Sequence, residues 1–424
     1  MNNIHSKIIR TWCFYDWGNS AFATTMMAAV LPVFFRQVSA SNLPASQHAL
    51  ATSYWGYTAS LAMLITACLS LVLGTLADYS ASKRKYLTIF TLLGAIASSL
   101  LGLTGFGDWL WVSLLFMLGS IGFSGGEVFY DAFLPYIAAP NEVNRVSTRA
   151  YSYGYLGGGL LLAINILMIF FLPSQTSPAG EQIPALGMRL SFVTVGFWWL
   201  IFATPFLINA PELGIITKNQ KRASLRIAFE RLASTFGEIK KYKQIFLFIL
   251  AFWMYNDGIG TIIKMATAYG DEIGISTMDL IGALLVTQFI GFPCAWLYGH
   301  LADRIGAKRG ILLGLFVYIL ITIGGFYMRT AWHFWALAAT VGVVQGGTQA
   351  LSRAVFATMI PKGKSAEFFS FYNISGKFAG VVGPAMFALA GQIFGNSRYG
   401  ILSLLFFFIA GSVLLMKVKI EAVE

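Results

Sequence analysis

The chain has 424 residues, of which 57% are hydrophobic and 11% charged, against about 25% charged residues in a soluble globular protein. Such a chain cannot clothe itself in polar surface. A net charge of +11 would point to nucleic acid if the basic residues shared one soluble face, but they sit in short runs between apolar segments, so a soluble enzyme and a nucleic-acid-binding domain are both excluded.

Crossing a bilayer core of about 30 Å takes about 20 helical residues, and apolar segments of that length recur along the chain. The N-terminal MNNIHSKIIRTWCFYDW puts basic residues ahead of an apolar run that is too long for a signal sequence and has no small-residue cleavage site, so it reads as a retained first span. The spans predicted in the first half are 10–36, 53–77, 86–106, 109–137, 150–172 and 189–209. The polar stretch 211–243 follows, with Leu225, Phe229, Leu232, Phe236 and Ile239 at helical spacing. It predicts an amphipathic helix, either lying on anionic lipid or packed on the bundle as a linker. The second half gives 244–268, 278–302, 310–328, 333–360, 368–394 and 398–416. The organisation is therefore an all-α membrane protein of twelve transmembrane helices in two six-helix bundles, 1–210 and 244–424, joined by a linker at 211–243. Cys13, Cys68 and Cys294 all fall in apolar stretches and offer neither a disulfide framework nor metal-ligand spacing.

With both termini on the cytoplasmic side, 22 of the 29 Lys and Arg lie in cytoplasmic segments, four at external ends and three inside spans. This asymmetry sets the orientation. The compact loops, with no Asn-x-Ser/Thr outside a predicted span, favour a bacterial plasma membrane over a vacuolar one.

The halves repeat each other. GTLADYSASKRK, Gly74 to Lys85, corresponds to GHLADRIGAKRG, Gly299 to Gly310, each after the second span of its half, and Tyr15-Asp16-Trp17-Gly18 echoes Tyr255-Asn256-Asp257-Gly258 with one residue of slippage. A duplicated six-helix unit about an axis along the membrane normal follows. The repeated GxLADxxxxKR turn resembles the signature loop of the major facilitator superfamily; its first copy departs from the pattern at Tyr79 and Ala81, where a base and a glycine are usual. Within that superfamily, Tyr15-Asp16-Trp17-Gly18-Asn19-Ser20-Ala21-Phe22 is similar to the YDWxNSAF hallmark of the group related to autophagy-linked vacuolar amino acid effluxers. The resemblance implies the major facilitator fold and, by analogy with the yeast members, movement of neutral amino acids.

An ionisable side chain in hydrocarbon costs several kcal/mol, so each needs a partner or a wet cavity. The spans contain the acids Asp16, Glu127, Asp131 and Asp257 and the bases Lys264, Arg353 and Lys377. Glu127 and Asp131, four apart on one helical face, suit a proton carrier; pairing with bases as interbundle struts is the competing reading. Asp257 and Lys264 share a face two turns apart. Asp131 and Arg353 fall one residue from equivalence in the repeat, at similar depth, where a state-dependent salt bridge would gate the path, and Lys377 would compete for the same carboxylates. Asn19 and Asn256 complete the candidate substrate or proton-coupling set, and Asp78, Arg84, Asp303, Arg304 and Arg309 of the repeated turns form the candidate conformational gate.

GxxxxGK[ST] is absent and no soluble domain is long enough to hydrolyse ATP. His5, His48, His300 and His333 are scattered near predicted span ends, which gives an intramembrane enzyme no dyad or metal cluster. A secondary transporter is thus expected, moving a neutral amino acid by alternating access with a proton as coupling ion; the alternatives are efflux of drugs or metabolites and uptake of peptidoglycan fragments. The expected partners are a small-molecule substrate, protons and membrane lipid, with no cofactor, metal or nucleic acid, and a monomer suffices.

Overall fold

The computed structural model describes residues 2–42, 83–178, 180–211, 242–361, 364–394 and 396–420, with scattered positions between 43 and 82. Helix dominates because hydrocarbon offers backbone N–H and C=O groups no partner other than each other. Helix α1 (Asn2–Ala21) runs on through π-helical turns at Phe22–Ala29 and Phe35–Ser39. Between them lies a short α segment, Val30–Phe34, that contains Pro32, which has no N–H to donate. Then follow α2 (Lys83–Leu101), α3 (Trp109–Ala132), a helical turn at Leu134–Ile137, and α4 (Val143–Phe171). Two-residue antiparallel strands, β1 (Gln175–Thr176) and β2 (Gln182–Ile183), lead into α5 (Ala185–Asn209). The rest is α6 (Lys243–Glu272), α7 (Thr277–Ile305), α8 (Ala307–Phe326), α9 (Ala331–Met359), α10 (Ser365–Phe394), α11 (Ser397–Ser403) and α12 (Leu405–Lys417).

Among the described residues, eight helices are long and apolar enough to cross a membrane. Helices α2, α9 and α10 occupy the predicted third, tenth and eleventh spans. The second span falls almost wholly outside the described residues, as does the linker helix expected within 211–243. Large exposed Trp and Tyr rings, including Trp111, Tyr327 and Trp332, sit at helix ends, where amphipathic rings suit the headgroup level.

The described residues fall into two compact units. The first comprises α1, α2, α3 as far as Tyr130, α4 from Tyr153, and α5. The hallmark run on α1 is its packing hub. Trp12 stacks on Tyr130 with ring centroids 4.5 Å apart, and its Nε1 donates to the Tyr130 carbonyl. Tyr15 also stacks on that ring, and its hydroxyl lies 2.9 Å from Thr91 Oγ1 on α2. Phe22 stacks on Phe123 and meets Trp199. Gly154, Gly157 and Gly158 of α4 admit Asp16, Trp17, Ser20 and Thr24 of α1 at distances that a Cβ would close off. Arg84 donates to the carbonyl of Ala210, beyond the last turn of α5, where a cation suits the negative end of the helix dipole.

The second unit comprises Asp131–Ser152 and α6 to α12. Tyr255 occupies on α6 the place that Tyr15 has on α1, with its hydroxyl 2.6 Å from Ser352 Oγ of α9. Gly258 and Gly411 let α6 and α12 approach closely, and Phe408 of α12 stacks on Tyr318 of α8. Lys308, at the start of α8, donates to the carbonyls of Met416 and Val418 at the end of α12, each at 2.8 Å.

Candidate functional site

Burying a guanidinium and a carboxylate is stable only when geometry and extra hydrogen bonds offset desolvation, and the second unit holds one such cluster. Asp131, at the end of α3, and Arg353, on α9, are 6% and 3% exposed and pair at 3.1 Å through Oδ1 and Nη1. Ser147, on the second turn of α4, grips the guanidinium twice: its hydroxyl accepts from Nε at 2.9 Å and its carbonyl from Nη2 at 3.0 Å. That hydroxyl in turn donates to the Ala350 carbonyl, one turn before Arg353. The Tyr151 ring, a turn further along α4, lies 4.5 Å from the guanidinium carbon, a cation–π contact. Asn373 of α10 donates to Asp131 Oδ2 at 3.3 Å. Both carboxylate oxygens are therefore occupied, each by a different helix.

A second, more exposed pair joins Arg145 of α4 to Asp303, in the last turn of α7. Gly299, one turn earlier, lies against Thr148 and the Arg145 backbone, too close for a Cβ, which gives the signature glycine a packing reason. Gly306, between α7 and α8, has φ of +89°, a conformation that favours glycine. The first copy of the turn carries Ala81 at the matching position.

The other candidate residues are distributed as follows. Asp16 is half-buried and accepts from the Ser20 hydroxyl, with Gly154 opposite. Asn19 is buried, and its amide oxygen meets no donor among the described residues. Glu127 is half-buried one turn before Asp131. Asn256 is half-buried, while Asp257 is 1% exposed with its carboxylate against Gly383 of α10. Arg304 and Arg309 are exposed. Asp78 lies outside the described residues, as do the side chains of Lys264 and Lys377. Sequence reasoning missed Ser147 and Arg145. Neither residue lies deep in an apolar run, and serine near a span start carries no charge to flag it.

The family described as vacuole effluxer Atg22-like matches residues 5–423. The chain is 37% identical over 417 residues to the MFS-type transporter YxiO of Bacillus subtilis, covering 98% of this chain and 96% of that one. It is 22% identical to autophagy-related protein 22-1 of Penicillium rubens, over 84% of this chain and 72% of the relative. Among solved structures, the human organic anion transporter MFSD10 superposes with a TM-score of 0.71 at 12% identity, covering 97% of this chain and 99% of that one. The proton:xylose symporter XylE gives 0.68 at 13% identity, with 97% and 94% covered. These likenesses establish the major facilitator fold.

Proposed function

From the premise that the chain belongs to the Atg22-like vacuole effluxer family of major facilitator transporters, we propose that it carries a neutral amino acid across a bacterial plasma membrane by proton-linked alternating access, with Asp131 and Arg353 as a gate. The protein is a multi-pass membrane transporter and not an enzyme. The observation that carries the gate is the buried pair itself. An ion pair with both carboxylate oxygens engaged and the guanidinium held at three donor positions is costly to bury and costly to break, so it suits an element with two discrete arrangements. A proton arriving at Asp131 would remove the charge facing Arg353 and weaken the closed arrangement.

The zwitterionic substrate is supported by the division of charge along the sequence. Three of the four span acids, Asp16, Glu127 and Asp131, belong to the first half, while Asp257 and all three bases, Lys264, Arg353 and Lys377, belong to the second. Opposite charges on the two halves suit a ligand whose ammonium and carboxylate both need charge-assisted hydrogen bonds. The orientation reading puts the N-terminus, residues 211–243 and the C-terminus in the cytoplasm; external labelling of a cysteine placed at Lys221 in intact cells overturns it.

Counterflow of labelled leucine or tyrosine in proteoliposomes tests the substrate. Exchange is expected, and exchange confined to an uncharged metabolite sinks the zwitterion reading. Glu127→Gln and Asp131→Asn test the coupling, with loss of pH dependence and of concentrative uptake expected while counterflow persists. Wild-type uptake and pH dependence in both variants removes the proton role.

A further inference from the structure

We infer that the second unit carries a binding site for an anionic glycerophospholipid at the end of α12, with the phosphate held by Arg309, Lys417 and Lys419 and the acyl chains laid along α8 and α12. The inference needs only the membrane embedding of the chain and is independent of what the protein transports.

Three observations carry it. First, Lys308 reaches from the repeated turn to the Met416 and Val418 carbonyls, which flank Lys417. This fixes the start of α8 beside the end of α12, and a hydrogen bond from the Lys419 N–H to Gln244 Oε1 pins the chain just past it. Second, the ammonium of Lys308 is spent on those carbonyls, whereas Arg309, Lys417 and Lys419 are exposed and make no ion pair among the described residues. The nearest described acid in sequence, Asp303, is engaged by Arg145. Three exposed cations without an ion pair among the described residues thus sit at the adjoining ends of α8 and α12. Third, α8 packs against α12, with Tyr318 stacked on Phe408 on the buried side. Their outer faces bear exposed apolar stripes, with Leu313, Phe316 and Leu320 on one helix and Ile409, Val413 and Met416 on the other. The rise from Arg309 to Leu320 is about 16 Å at 1.5 Å per residue, roughly the depth of one leaflet of a 30 Å core. A cationic cap over an apolar face of leaflet depth matches a lipid with an anionic headgroup, whereas a soluble phosphate would use only the cap.

The first unit provides an internal control. Helix α2 packs on α5, the outer faces again expose Ile89, Ile96, Phe197 and Ile201, and Arg84 caps the end of α5 as Lys308 caps α12. However, α5 ends in the uncharged run PFLINA, and among the described residues of α2 and α5 at this end Lys85 is the exposed cation. Among the described residues of these helix pairs, therefore, the apolar face is repeated and the three-cation cap is found at the end of α12.

The test uses the full-length purified protein, delipidated in detergent, with retained lipid read by native mass spectrometry and stability by thermal unfolding. Added phosphatidylglycerol is expected to bind and raise the midpoint where phosphatidylcholine does not, and glycerol 3-phosphate is expected to have no effect. Substituting Arg309→Gln, Lys417→Gln and Lys419→Gln should weaken lipid binding about fivefold per charge removed. The Lys417→Arg, Lys419→Arg double variant should bind as wild type does, and Lys85→Gln should change nothing. Equal loss with Lys85→Gln, undiminished binding in the triple variant, or equal stabilisation by glycerol 3-phosphate each overturns the proposal. The lysine-to-arginine variant shows whether any loss reflects charge or misfolding.

Discussion

In the first unit the carboxylate of Asp16 lies opposite Gly154; in the second, that of Asp257 lies opposite Gly383. Each aspartate sits on the first helix of its half, has a hydroxyl residue four positions on (Ser20 or Thr261), and faces a glycine of a neighbouring helix. The seats differ in tightness. A Cβ at Gly154 would stand 3.2 Å from Asp16 Oδ1, and one at Gly383 would stand 2.7 Å from Asp257 Oδ1, while Asp16 is half-buried and Asp257 is 1% exposed. Duplication has preserved a backbone approach, therefore, and let the burial of the charge diverge.

The comparison breaks most sharply where one unit holds something with no counterpart in the other. Arg353→Gln, which leaves Asp131 buried without its cation, should cost about 3–5 kcal/mol. Adding Asp131→Asn should recover part of that loss in thermal unfolding, and no recovery would mean that the pair is not what the guanidinium supplies. Next come the two seats. Gly383→Ala should destabilise by about 2–3 kcal/mol and Gly154→Ala by less, as expected for overpacking at different clearances. The reverse order in a side-by-side melt would refute the difference in tightness. Smaller still is the effect of removing the two tyrosine hydroxyls. Tyr255→Phe and Tyr15→Phe should each cost about 1 kcal/mol, because Ser352 and Thr91 keep their bonds to the Thr348 and Leu87 carbonyls and are not orphaned. A loss several times larger in one variant would show that the two hubs are not equivalent. Least of all, Arg145→Gln should cost under about 1 kcal/mol, screened by salt, since that pair is largely exposed; an effect that persists in molar salt would count against this.

The spans that the described residues cover, the duplication and the family hallmark were legible in the sequence because each leaves a local trace: a run of apolar length, a repeated turn, or a contiguous motif. So was the shared depth of Asp131 and Arg353, because the repeat offset supplies it. The partners of that pair were not legible. Whether Ser147 or Asn373 turns toward Arg353 and Asp131 depends on rotation about helices that are apolar on most faces, and such helices carry little periodic signal for which side faces in. The π-helical turns of α1 were also missed. A shift from i→i+4 to i→i+5 bonding alters register without altering hydropathy, and Pro32 alone hints at it.

The ion pair also sets an order of events during synthesis. Asp131 precedes Arg353 by 222 residues, which at about 5–20 residues per second is about 10 to 45 s of translation. For that interval α3 is made while its guanidinium partner does not yet exist, so the carboxylate must stay protonated, remain near the membrane surface, or be sheltered by the insertion machinery. The clamp of Arg84 on Ala210 can close about 208 residues of synthesis before Val418, whose carbonyl the clamp of Lys308 needs, has been made. The first unit can therefore be locked while the second is still being synthesised.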